Sequence, residues 1–303
     1  LLFLSGILIG ITFKLTLPNS ISKYLGYYLL LSLGLKGGLS LQENGFINDV
    51  ISALSLGILF ALLIPAIAYI YLKNILNTDD AAALSGTYGS VSAVTFVTAI
   101  AYLSTTNQDF DNYMSAVLVV MEFPAIFMAL YLVTHNKINK GTNLQTIKTA
   151  FLEIPNIILI SSLFVGYFVN KTVISNIDIF IVTVFDYILY VFLFVMGTRV
   201  AKRTGELKGK GVNLIAFALL TPLIGSLIAL IASINFDLSV GNSTLLMVLT
   251  ASASYIAVPA VVKDAIPDAN PAIYLGLSLG VTFPFNIIFG IPLYNELAKY
   301  FIG

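Results

Sequence analysis

The chain has 303 residues, of which 58% are hydrophobic and only 10% are charged, a composition typical of proteins whose solvent is lipid. Basic and acidic residues number 15 each, so no charge excess indicates a nucleic-acid partner. The absence of Cys and the presence of a single His exclude thiol catalysis, disulfides, iron–sulfur clusters and His-rich metal sites.

Ten apolar segments follow one another along the chain, each near the roughly 20 residues that cross a bilayer. They lie at 1–17, 21–38, 50–72, 80–104, 111–134, 149–170, 177–198, 211–234, 241–262 and 271–301. No basic region or cleavage site precedes the first segment, so we expect a membrane span with a trimmed start rather than a signal peptide. The longest polar stretch, 135–148, is expected to be a cytoplasmic linker between a first unit, 1–134, and a second unit, 149–303.

The two units carry similar features in the same order. A Gly and a basic residue end the second and seventh segments, Ser clusters occupy the fourth and ninth, and Phe-Pro pairs occupy the fifth and tenth. The matched stretches are Leu33 to Gly38 with Val195 to Arg199, Gly89 to Ala93 with Ala251 to Tyr255, and Glu122 to Pro124 with Thr282 to Pro284. Because five is an odd number, the second unit must enter the membrane upside down. The predicted fold is therefore an all-α integral membrane protein with ten transmembrane helices in two inverted five-helix repeats.

The distribution of basic residues predicts the orientation of this arrangement. If the N-terminus is outside, only Lys36, Lys171 and Lys299 face the exterior. The other twelve face the cytoplasm: Lys14, Lys23, Lys73, Lys137, Lys140, Lys148, Arg199, Lys202, Arg203, Lys208, Lys210 and Lys263. We therefore expect an inner (plasma) membrane protein with both termini extracytoplasmic.

The fourth and ninth segments are rich in hydroxyl groups. One interpretation is helix packing, because small residues let backbones approach and hydroxyls bond back to the preceding turn. The other is a pair of broken helices, whose free N–H groups and positive dipole ends bind an anion. The occurrence of such clusters in matching segments favours a substrate site formed by Gly89 to Thr95 and Ser252 to Tyr255, with Gly89, Ser90, Ser92, Thr95, Ser252, Ala253, Ser254 and Tyr255 as candidates.

Two carboxylates, Glu122 and Asp186, fall near the middle of predicted spans, where an ionisable group is a functional candidate. Glu122 lies near Pro124, which frees a backbone carbonyl, and Asn286 in the tenth segment adds a neutral oxygen; this is an oxygen set suited to sodium. Asp186 is either functional or a structural residue near the interface. His135 lies in the polar linker and is given no role. Motifs for ATP-driven pumping, zinc proteolysis and serine hydrolysis are missing, so the sequence predicts a secondary transporter rather than an enzyme.

Several stretches closely resemble the cyanobacterial-type sodium-dependent bicarbonate transporter family. In the second unit they read SASYIAVP from Ser252, IPDANPA from Ile266 and LGVTFPFN from Leu279; in the first unit they read GLKGG from Gly34, GSVS from Gly89 and MEFPA from Met121. The resemblance covers nearly the whole chain. Two departures are a short central loop and Glu122, where the family typically has Asp.

The resemblance implies a sodium–bicarbonate symporter with a core domain that moves against a gate domain, and a homotrimer. It also implies that the substrate site lies among the Ser, Thr and Tyr candidates above, with Glu122, Thr282 and Asn286 as sodium ligands. Sodium would be a coupling ion, and no cofactor is expected. A PII-like regulatory protein is an implied cytoplasmic partner, although the short loop weakens that expectation. The alternatives are a symporter of another small anion or organic acid and, further off, an ion channel.

Overall fold

The computed structural model describes residues 2–15, 17–136, 152–169, 184–203 and 211–303, and within these ranges all regular structure is helical. We number the helices α1 Leu2–Phe13, α2 Asn19–Asn44, α3 Asn48–Leu72, α4 Thr78–Gly89, α5 Ala93–Thr105, α6 Met114–Asn136, α7 Ile154–Phe168, α8 Val184–Arg203, α9 Val212–Asn235, α10 Val240–Ala251, α11 Ala257–Ala265 and α12 Pro271–Ile302. The all-α prediction is confirmed. The predicted linker falls almost entirely outside the described residues.

Six helical stretches among the described residues are long and apolar enough to cross a membrane, which makes the chain a multi-pass membrane protein. They are Asn48–Leu72, Thr78–Thr105, Met114–Leu132, Val184–Lys202, Val212–Asn235 and Pro271–Ile302. Shorter apolar helices cover Leu2–Phe13, Ile154–Phe168 and Val240–Ala251.

The fourth and ninth predicted segments are each interrupted, as the interpretation in terms of broken helices requires. α4 ends at Gly89 and α5 starts at Ala93, while α10 ends at Ala251 and α11 starts at Ala257. Ser is found at both interruptions because its hydroxyl replaces backbone partners at helix ends and competes with helical hydrogen bonds elsewhere.

Four helices pair through closely approaching backbones. α1 packs along α8, and α2 packs along α7. A Cβ on Gly6 of α1 would overlap the carbonyl oxygen of Phe194, and a Cβ on Gly197 of α8 would overlap that of Phe3. Between α2 and α7 the same reciprocal relation holds for Gly38 and Gly166. Glycine is required at these contacts because any side chain would separate the helices.

The remaining helices surround the two interrupted segments. α3 packs on α4 and α6, and α9 packs on α10 and α12. Within α12, the stretches Ser278–Thr282 and Asn286–Gly290 are π-helical, a local widening often found at functional sites.

Two polar clamps hold the first turns of α4 and α10. Asp80, the third residue of α4, accepts a hydrogen bond from the backbone N–H of Asn270, just before α12, at 2.6 Å. Asn242, the third residue of α10, donates through Nδ2 to Asp111 Oδ2 at 2.7 Å and accepts from the Asp111 N–H at 2.8 Å. Asp111 lies just before α6, so one clamp ties α4 to the start of α12 and the other ties α10 to the start of α6. The α4 clamp uses an Asp on the short helix, whereas the α10 clamp uses an Asn there and places the Asp on the partner segment.

Candidate functional site

The two helix interruptions are hydrogen-bonded to each other. Ser90 and Ser252, which follow the first half-helices, have nearly the same extended backbone, with φ −94° and ψ 163° for Ser90 and φ −87° and ψ 164° for Ser252. The N–H of Ser92 donates to Ser252 Oγ at 2.9 Å, and the N–H of Ser254 donates to the Thr87 carbonyl at 2.9 Å. These two hydrogen bonds fix the position of one interruption relative to the other.

α5 and α11, the helices that follow the two interruptions, begin beside this crossing. A serine hydroxyl lies at the N-terminus of each. Ser92 Oγ accepts from the Thr95 N–H at 3.3 Å and from the Thr95 hydroxyl at 2.9 Å, which caps α5. Ser254 Oγ accepts from the Val258 N–H at 3.4 Å at the start of α11. The positive dipole ends of α5 and α11 therefore lie at the crossing, and such ends attract anions.

A cavity of about 40 Å³ lies beside the crossing. Because one water needs roughly 10–15 Å³ measured this way, the space suits a group of a few heavy atoms. Five polar side chains line it: Ser92, Glu122, Asn156, Ser254 and Tyr255. Its apolar lining consists of Leu30, Val91, Ala93, Val94, Leu118, Pro155, Leu159 and Ile256.

Two hydroxyl oxygens at this site are buried without a hydrogen-bond partner. The hydroxyl of Tyr255 lies near Ser92, and that of Ser90 approaches the Glu122 carboxyl, but neither meets hydrogen-bond geometry. Leaving a buried polar group unsatisfied costs about 1–3 kcal/mol. A polar ligand in the cavity would remove this cost for Tyr255, which lines the cavity.

Glu122 is only 6% exposed and projects from α6 into the cavity lining. A carboxylate at such a depth must be paired, protonated or bound to a cation. Pro124 in the same helix has no N–H, so the carbonyl of Val120 lacks its helical donor and is a second oxygen near this turn. Among the described residues there is no cluster of three or more His, Asp or Glu that could hold a metal ion.

The other two predicted sodium ligands, Thr282 and Asn286, are not in the cavity lining. The Thr282 hydroxyl donates to the Ala218 carbonyl at 2.7 Å and is hydrogen-bonded to Tyr88 at 2.5 Å. Asn286 donates through Nδ2 to the Ala251 carbonyl at 2.8 Å and accepts through Oδ1 from Tyr294 at 2.9 Å. Both side chains thus join α12 to the interrupted helices.

The remaining candidate residues do not line the cavity and instead contribute to helix packing or to helix ends. Gly89 packs on Pro65, where a Cβ would overlap the proline ring, and Ala253 is buried in an apolar cluster that includes Leu84 and Val258. Ser85 and Thr87, two further hydroxyl residues of the fourth segment, donate to carbonyls of the preceding turn, as the helix-packing interpretation expects. Asp186 is exposed in the first turn of α8, where its charge complements the helix dipole.

The side of the cavity formed by α2 and α7 was not predicted from the sequence. Asn156, Pro155 and Leu159 line it from α7, and Leu30 lines it from α2. Asn156 is buried, and a polar residue following a proline inside an apolar segment was the available signal. Without a predicted contact between the two units, that signal could not be assigned to the site.

Comparison with known proteins supports one family. The sequence model of one family, the Na⁺-dependent bicarbonate transporter superfamily, matches residues 1–299 of this chain. A comparison with curated proteins gave no match.

Proposed function

The chain belongs to the Na⁺-dependent bicarbonate transporter superfamily, and on that basis we propose that it is a sodium-coupled bicarbonate symporter that works by alternating access. The observation that carries the proposal is the crossing of two interrupted helices beside a small cavity that contains Glu122. Interrupted helices that meet in this way are a recurring binding arrangement of secondary transporters.

The anion is proposed to bind where α5 and α11 begin. Bicarbonate carries one charge on three oxygens, which suits the positive dipole ends of two helices and the unpartnered hydroxyl of Tyr255. The cavity volume of about 40 Å³ favours an anion of this size over a larger organic acid. An ion channel would need a continuous polar path, whereas Leu30, Leu118 and Leu159 line this cavity.

The cation is proposed to bind at Glu122. Sodium would neutralise the carboxylate and lower the cost of its burial, and the positive ion would in turn attract the anion in the same cavity. Each ion then binds more tightly when the other is present, and thermodynamic linkage makes this effect reciprocal. Thr282 and Asn286 would support the site through the hydrogen bonds that position α12.

Alternating access is proposed to use two inverted repeats. The paired contacts of α1 with α8 and of α2 with α7, the two clamps and the matching backbone of Ser90 and Ser252 are what a pseudo-twofold relation would produce. We assign α1, α2, α7 and α8 to the gate and the remaining helices to the moving core. Extracytoplasmic termini, an inner (plasma) membrane location, a homotrimer and a PII-like partner are further parts of this proposal, supported by the sequence and the family resemblance.

The decisive experiment is uptake of labelled bicarbonate by the purified protein in proteoliposomes. Uptake should require an inward sodium gradient and should be accompanied by sodium entry. Uptake that is unchanged when sodium is replaced by potassium would refute symport. Sodium-dependent uptake of another small anion without competition by bicarbonate would favour the alternative substrate.

A further inference from the structure

A second cavity, of about 250 Å³, lies between α3 and α9 and is separate from the candidate site. α3 contributes four lining residues and α9 contributes seven, and only Tyr71 and Thr221 among them have polar side-chain atoms. Apolar cavities of roughly 150 Å³ already stay dry and take up hydrophobic ligands. Water is therefore not the natural occupant of this cavity, which we call the α3–α9 groove.

The groove opens onto the outer surface of α3 and α9, the two most apolar of the six candidate spans. α3 and α9 each reach a mean hydropathy of 2.5, above the other four candidate spans, and the lining residues Ile67, Leu220 and Ile224 are exposed. In a bilayer the medium around such helices is hydrocarbon. An acyl chain is the group that would fill the groove there.

One end of the groove carries features suited to a lipid headgroup. Tyr71 lines the groove on the last turn of α3, and exposed Lys73 follows immediately after that helix. Tyrosine is enriched at the membrane interface, and a lysine at that level attracts anionic lipid. We propose that an anionic phospholipid binds here, with an acyl chain between α3 and α9 and its phosphate near Lys73, and that its occupancy adjusts bicarbonate binding.

An aromatic contact joins the groove to the helices of the candidate site. The Phe217 ring stacks on Tyr71, with centroids 6.0 Å apart and planes 5° apart, and lies 4.9 Å from the ring of Tyr88. Tyr88 is the penultimate residue of α4, and its hydroxyl bonds to Thr282. An acyl chain that fixes Phe217 therefore also fixes the end of α4.

Both groove helices also contact the interrupted helices directly. Pro65 of α3 packs against Gly89, the last residue of α4. Gly225 of α9 packs so closely on the carbonyl of Thr250 in α10 that a Cβ would lie 2.6 Å from its oxygen. A change in the separation of α3 and α9 must therefore move both half-helices. This coupling rests on the proposed function, whereas lipid binding does not.

The binding test counts phospholipids on the purified protein by native mass spectrometry. The protein is incubated with phosphatidylglycerol or with phosphatidylcholine of the same acyl chains. We expect one tightly held phospholipid per chain and a preference for phosphatidylglycerol of about fivefold, since one lysine contributes about 1 kcal/mol at an anionic surface. Lys73→Gln should keep the lipid but lose this preference.

A matched pair of substitutions on α9 tests the location. Ile224→Trp fills the groove and should lose the bound lipid, while Ile231→Trp, outside the groove on the same helix, should retain it; the two isoleucines are 51% and 62% exposed. Equal lipid counts for Ile224→Trp and the parent would overturn the site. An altered oligomeric state of Ile224→Trp with no lipid on the parent would assign the groove to a second copy of the chain.

Bicarbonate uptake in proteoliposomes tests the coupling. Adding phosphatidylglycerol to phosphatidylcholine should lower the half-saturating bicarbonate concentration of the parent and of Ile231→Trp but leave Ile224→Trp unchanged. An equal response of all three would refute coupling through the groove. If none of them transports bicarbonate while the lipid counts behave as expected, the proposed function fails and the lipid site stands.

Discussion

The charge of Glu122 should determine the sodium dependence of transport. Glu122→Gln keeps the shape of the side chain but removes the negative charge from a residue that is 6% exposed. Two opposite unit charges about 4 Å apart attract by about 4 kcal/mol at an effective dielectric constant of 20. The amide oxygen retains part of this attraction, so we take about 1.5–3 kcal/mol as the loss, the usual range for an interaction with a charged group. The half-saturating sodium concentration should therefore rise roughly ten- to hundredfold.

The assay is initial bicarbonate uptake into proteoliposomes as a function of sodium concentration. Glu122→Asp should retain sodium coupling if the shorter side chain still reaches the cation. Ser85→Ala is the control, because Ser85 is a buried hydroxyl that bonds within α4 and does not line the cavity. Thermal unfolding of each variant verifies folding. Equal sodium dependence of the parent and the folded Gln variant would show that the cation binds through neutral oxygens elsewhere.

Four further predictions follow from the same structure. Tyr255→Phe removes a hydroxyl without an internal partner, so thermal stability should be unchanged or higher while the half-saturating bicarbonate concentration rises about fivefold, and equal uptake would remove this hydroxyl from the site. Asp80→Ala should lower the free energy of unfolding by about 1 kcal/mol, measured by denaturation in detergent, because it removes the acceptor of the partly buried hydrogen bond from the Asn270 N–H. Gly197→Leu should prevent the close packing of α1 on α8 and reduce the yield of folded protein in size-exclusion chromatography, and a normal yield would contradict the backbone contact. Cysteines introduced at Lys73 and Thr106 should react with an impermeant label from opposite sides of the membrane, Thr106 from outside, and labelling of both from one side would refute the topology.

The sequence was sufficient for the all-α class, for the six helical stretches of membrane-spanning length among the described residues and for the two interruptions. Apolar segments of spanning length and Ser clusters at Gly89 to Ser92 and at Ser252 to Ser254 are local signals, and local capping chemistry decides where those helices stop. Burial of Glu122 was also predictable, because its neighbours along α6 are apolar.

The hydrogen-bond partners of the buried polar side chains could not be predicted from the sequence. Thr282 and Asn286 have the chemistry of sodium ligands, but their oxygens and amide are engaged by Ala218, Tyr88, Ala251 and Tyr294. These contacts join residues far apart in the chain, and composition or spacing does not encode them. The π-helical turns that aim these two side chains likewise depend on tertiary packing.

The pairing of α1 with α8 has a consequence for biosynthesis. The glycine face of α1 is matched to Gly197, which the ribosome adds roughly 180 residues and about 10–40 s after α1 at ordinary elongation rates. In the proposed ten-span topology, α1 and α2 would reside in the membrane during that interval without the helices that fit their small-residue faces. A nascent chain halted before Val184 would thus present these faces to the insertion machinery, and two separately synthesised halves, divided within 137–151, should still find each other in the bilayer through the α1–α8 and α2–α7 contacts.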